Sequence, residues 1–94
     1  MIRTFVAMTV VGAELASLAR LESAVARQGT ALEQLRAGLA NEIAATEWRG
    51  QAAERFRATW REEHEPSLRR LETALHEAAA EVARRRAALE AAGA

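Results

Sequence analysis

AATEWRGQAAERF, residues 44–56, separates two long stretches of helical periodicity and carries the sharpest break in pattern along the chain. Tryptophan is a large apolar group with much to gain from burial, and glycine inside a helix costs about 1 kcal/mol relative to alanine. Trp48, Arg49 and Gly50 therefore read as a turn. Before them, Leu18, Leu21, Val25, Leu32, Leu35, Leu39 and Ile43 recur at steps of three, four or seven, which keeps them on one helical stripe. After them, Ala53, Phe56, Trp60, His64, Leu68, Leu71, Leu75, Val82 and Leu89 keep the same heptad-like step.

Two helices of about 30 residues would each run roughly 45 Å, and a connection of a few residues forces them antiparallel. The expected organisation is one domain over residues 1–94: a lead-in over about 1–10, a helix over 11–45, a turn over 46–50 and a second helix over 51–91. Thr46 is placed to cap the second helix. Gly29, between Val25 and Leu32, either lets another backbone come close or bends the first helix. Pro66 cannot donate to the carbonyl of Glu62, so a kink is expected between His64 and Ser67, with the stripe resuming in phase at Leu68. Two facing stripes leave flanking apolar surface, and a second hairpin would cover it. The fold class is all-α, a helical hairpin pairing into a four-helix bundle dimer.

Composition agrees and excludes several functions. Half of the 94 residues are hydrophobic, but many are alanine, which buries little area each. A core built from so short and alanine-rich a chain is marginal, so pairing gains more than folding alone. The 13 cationic side chains are all Arg and the 13 acidic ones all Glu, giving zero net charge and no general attraction to nucleic acid or anionic lipid. Lysine-free, arginine-rich usage is that of a GC-rich genome. With no cysteine, disulfides, thiolate metal sites and cysteine nucleophiles are excluded. The run Phe5–Val11 is short, has Arg3 as the only positive charge before it and leads straight into amphipathic sequence rather than a cleavage-site loop. A short lead-in is therefore expected in place of a signal peptide. No run approaches the roughly 18 apolar residues of a membrane span.

No catalytic or cofactor constellation is present. His64-Glu65 and His76-Glu77 begin like a zinc-binding His-Glu-x-x-His, but Leu68 and Ala80 stand where the second histidine belongs. There is no phosphate-cradling glycine loop and no nucleophile elbow. Arg84, Arg85 and Arg86 splay around a helix at about 100° per residue and read as a solvated helix end. No enzyme activity, metal or cofactor is expected.

The hairpin with Trp-x-Gly in its turn resembles the WXG family, the small early-secreted-antigen-like proteins handled by type VII secretion systems. MTVVGAELASLARLESAV, residues 8–25, is similar to the family's opening helix. WRGQAAERFRATW, residues 48–60, places Phe56 and Trp60 where the family carries bulky aromatics. The resemblance implies a substrate or adaptor that pairs with itself or, preferentially, with a second WXG-type chain. Such a pair presents a composite surface to the secretion ATPase and is exported without a cleaved signal peptide after a cytoplasmic stage. It assigns Trp48, Arg49 and Gly50 to the export-related turn, while the two stripes put Leu18, Leu21, Val25, Leu32, Leu35, Leu39, Phe56, Trp60, Leu68, Leu71, Leu75 and Val82 in the bundle core. The family's export tail carries a tyrosine four residues before an acidic residue. This sequence has no tyrosine, and Arg86 stands four before Glu90, so the partner is expected to supply that half of the signal. The alternative is a non-secreted helical chaperone of a larger toxin; a membrane-acting helix is disfavoured by the neutral charge and narrow stripes.

Overall fold

Uninterrupted helix-forming sequence before the turn makes a single long helix. The computed structural model describes the backbone of residues 2–93 and the side chains of residues 10–93. Helix α1 spans Ile2–Ala45, α2 Gln51–Thr59 and α3 Glu65–Gly93, with a π-helical turn, Trp60–His64, joining the last two. The architecture is all-α, an extended helical hairpin. The lead-in expected over residues 1–10 is helical from Ile2, because no glycine or proline precedes Gly12; Met1 lies outside the described residues.

Residues 46–50 are non-helical and join the two arms. Thr46 does not cap the second helix. Its hydroxyl donates to the Glu42 carbonyl at 2.6 Å and its amide to Ile43 at 3.3 Å, so it closes the end of α1 instead. Gly50 occupies the N-cap of α2 with φ 110° and ψ −178°, a backbone region open essentially to glycine alone.

Pro66 acts one turn earlier than its position alone would suggest. The Glu65 amide donates to the Trp60 carbonyl, an i→i+5 bond that widens the helix ahead of the proline ring. Ser67 then donates its hydroxyl to the Glu63 carbonyl at 2.8 Å. The extra residue rotates the helix beyond it. An α-helix would carry His64 onto the line of Trp60, whereas here His64 is exposed and the half-buried Glu65 approaches Arg36. The stripe through His64 is thus corrected by one position.

α1 and α3 pack antiparallel along their length. Glu22 meets Arg86 and Arg36 meets Glu72, so facing residue numbers add to about 108, and Gly93 lies beside Val11. This register ends α1 level with the π-turn. The extended loop climbs past it at about 3.3 Å per residue, and α2 returns at about 1.5 Å per residue. The hairpin measures 76 × 17 × 13 Å, two helices wide and one thick. Its radius of gyration is 21.2 Å, against about 12 Å for a compact chain of this length.

Candidate docking face and hairpin tip

The line along which α1 meets α3 alternates apolar side chains with small and charged ones. Leu18, Glu22, Val25, Gly29, Leu32 and Arg36 follow one another at steps of three and four on α1, and Leu68, Glu72, Leu75, Val82 and Arg86 at steps of three, four or seven on α3. Gly29 is buried, and a Cβ built there would stand 3.3 Å from the His76 ring and 3.6 Å from Leu75 Cβ. The neighbour that the glycine admits is thus the His76 side chain rather than another backbone. Glu33 meets His76 Nε2 at 2.7 Å, and Glu22 meets Arg86 at 2.9 Å. Arg36 donates from Nε and Nη2 to the two oxygens of Glu72, at 2.6 and 3.1 Å, and reaches Glu65 at 3.6 Å.

Glu72 is the one buried charged residue among those described. The hydrogen bonds from Arg36 hold its carboxyl below the ordinary 4.5 against the opposing effect of desolvation, and raise the Arg36 guanidinium in turn. Other pairs join residues one turn apart: the half-buried Glu65 with the exposed Arg69, and Glu81 with Arg85 on solvated helix surface. An exposed pair such as Glu81 with Arg85 contributes little to stability.

Four leucines stand beside this line rather than on it. Leu21 precedes Glu22, Leu35 precedes Arg36, Leu39 precedes Ala40 and Leu71 precedes Glu72. One residue earlier is a rotation of about 100° in the same sense on both helices. Two antiparallel helices facing each other are related by a local twofold axis normal to their plane. Equal rotations therefore bring both sets onto the same broad face of the hairpin. Leu21 (49 % exposed), Leu35 (52 %), Leu39 (42 %) and Leu71 (50 %) lie open there, with Val10 at 51 % further along α1.

The twelve residues expected in the bundle core thus divide. Leu18, Val25, Leu32, Trp60, Leu68, Leu75 and Val82 are half-buried. Leu21, Leu35, Leu39, Phe56 and Leu71 are exposed within the single chain. Ala53 is the only fully buried hydrophobic residue among those described. The interhelical ion pairs escaped the sequence reading, although Glu22, Glu33 and Arg36 sit at steps of eleven and three, a helical spacing, and each has an opposite or titratable partner on α3.

At the far end of the hairpin, Trp48 and Phe56 pack at a ring-centroid separation of 5.7 Å with the planes tilted by 49°. Both remain more than two-fifths exposed. Trp48 thus does not seal a bundle end within this chain; it leans on the first turns of α2. Arg57 donates to the carbonyls of Trp48 at 3.0 Å and Thr46 at 3.1 Å. Arg49 and Gly50 are exposed in the same turn.

Among the described residues, no three of His, Cys, Asp and Glu converge as metal ligands, and no helix is long and apolar enough to cross a membrane. His64 and His76 lie apart, the one in solvent and the other on Glu33. Compared with known protein families, curated proteins and solved structures, the chain matches none.

Proposed function

We propose that this chain is half of a four-helix bundle, a WXG-type adaptor or substrate of a type VII secretion system that works by pairing through its leucine face. The observation that carries the reading is exposed area. The chain exposes 7225 Å², about 1,900 Å² more than the roughly 5,300 Å² expected of a compact monomer of its 10.2 kDa. That excess is more than one partner contributes to a standard protein interface, about 800 Å². A second hairpin laid on the face would cover Leu21, Leu35, Leu39 and Leu71 and give the half-buried leucines a full set of neighbours. The preferred partner is a second WXG-type chain, with a second copy of this chain as the simpler form.

The export role rests on Trp48, Arg49 and Gly50, which stand in the turn joining the helices, and on the exposed aromatic pair beside them. The paired molecule presents this tip to the secretion ATPase. The test is export of the tagged chain from a host with an active type VII system, with and without its ATPase, alone and beside a candidate WXG partner. Recovery from the medium that depends on the ATPase and is lost in Trp48→Ala supports the reading. ATPase-independent recovery, or retention in the cell under every condition with a larger toxin bound, overturns it; the latter result favours the chaperone function.

A further inference from the structure

We infer that Arg57 is the positioning residue of the hairpin tip, tying the loop to α2 so that Trp48 and Phe56 form one ordered aromatic surface before any partner arrives. The inference goes beyond the pairing reading and does not depend on it.

Loop residues 46–50 have little else to hold them. The loop amide bonds run from Thr46 to the Ile43 carbonyl and from Trp48 to the Thr46 carbonyl, which shapes the segment locally without fastening it to α2. Helix α1 has already ended, and the interhelical ion pairs begin only where Arg36 meets Glu65 and Glu72. α2 thus stands beyond the reach of the α1–α3 packing, joined to the rest of the second arm through the π-turn.

Arg57 lies two turns into α2 and spans this gap. One guanidinium nitrogen donates to the Trp48 carbonyl and the other to the Thr46 carbonyl. A planar fork with two donors fixes both the distance and the orientation of two carbonyls, which a single ammonium cannot do. Phe56 is the residue before Arg57, so the same turn of α2 supplies both the clamp and the ring that Trp48 packs on. Gly50, at φ 110°, lets the clamped loop reverse into the helix, and the Glu54 amide then closes on its carbonyl at 3.1 Å. A tip ordered in this way loses less conformational freedom when it binds.

The experiment uses the full chain carrying Trp60→Phe, which leaves Trp48 as the only indole, and compares Arg57 with Arg57→Ala and Arg57→Lys. Trp48 is 42 % exposed, so release from Phe56 raises its acrylamide quenching toward about twofold, with a red-shifted emission and a weakened near-ultraviolet dichroism. Both variants should show this change, because lysine keeps the charge and loses the fork. Helix content, melting temperature and sedimentation mass should match the parent, since the seam and the leucine face lie on the other side of the π-turn. Unchanged Trp48 signals in Arg57→Ala overturn the inference. So does a parental signal in Arg57→Lys, which would make charge sufficient, and so does loss of helix content, which would make Arg57 a residue of the whole fold.

Discussion

Replacing Leu35, Leu39 and Leu71 together by alanine tests whether the open face is the pairing surface. These leucines are 52 %, 42 % and 50 % exposed, so truncation removes little from the α1–α3 seam, and alanine keeps helix propensity high. Burying a whole leucine contributes about 1.5–3 kcal/mol, so covering the half now in water contributes about 0.8–1.5 kcal/mol at each position. Both chains of a dimer carry the substitutions, so six positions together come to about 4–9 kcal/mol, which at about 1.4 kcal/mol per tenfold is an association weaker by about a thousandfold or more. Sedimentation velocity over a micromolar concentration series reads the equilibrium directly, with far-ultraviolet dichroism as the control for helix. The parent should sediment as a dimer through the micromolar range while the variant moves toward monomer with its helix retained above the association midpoint. A variant that associates as tightly as the parent refutes the assignment of the face, and a parent that is monomeric and melts cooperatively refutes the need for a partner.

Three further substitutions probe the seam and the turn. Because the Glu72 carboxyl is held below 4.5 in the folded chain, the stability it contributes is present above that value and is lost as pH falls through its lowered pKa; Glu72→Gln should flatten this acid limb in melts followed by dichroism. Gly29→Leu forces a side chain into the space against His76 and Leu75, so it should separate the helices and lower the melting temperature, overpacking of this kind costing about 1–3 kcal/mol. Gly50→Ala meets no atom within 4 Å, yet its backbone conformation costs a non-glycine residue about 1–3 kcal/mol, so it should change the Trp48 fluorescence while α1 and α3 keep their helix content.

The helices and their antiparallel order were legible because steps of three and four, interrupted by Trp-x-Gly, admit few other structures. The lateral phase was not. A stripe of leucines reads as the line of contact within a hairpin, and Leu18, Leu32, Leu68 and Leu75 keep to it. Glu22, Arg36 and Glu72, however, take the line where Leu21, Leu35 and Leu71 were expected, and those leucines stand one residue to the side. Periodicity fixes which residues share a face without fixing which neighbour that face meets. Pro66 was legible as an irregularity, but its position was not, since a proline ring can be accommodated by widening the turn before it. Thr46 carries the residue type of an N-cap, and the structure uses its hydroxyl at the end of α1. Trp48 and Phe56 were legible as aromatics of the turn, whereas Arg57, which holds that turn, gave no signal beyond one arginine among many.

The seam and the open face divide the work of folding in a way that makes association part of stability. Charged pairs fix register, but their attraction is largely offset by the cost of removing both partners from water, so they specify the hairpin more than they stabilise it. The apolar side chains of the seam are only half-buried, and further apolar area on the outer face remains in water until a partner covers it. Folding and pairing should therefore form one equilibrium. For a dimer of two 94-residue chains, an unfolding entropy near 2.1 cal/mol/K per residue sets each tenfold rise in concentration, worth about 1.4 kcal/mol, equal to about 3–4 °C of melting temperature. Calorimetry at protein concentrations a hundredfold apart should show twice that shift. A shift of this size makes the second copy sufficient. Weak helicity at both concentrations that rises on adding a different WXG-type chain assigns the face to that chain, and a cooperative transition at one fixed temperature shows that the hairpin is stable alone and that the argument from its exposed leucines fails.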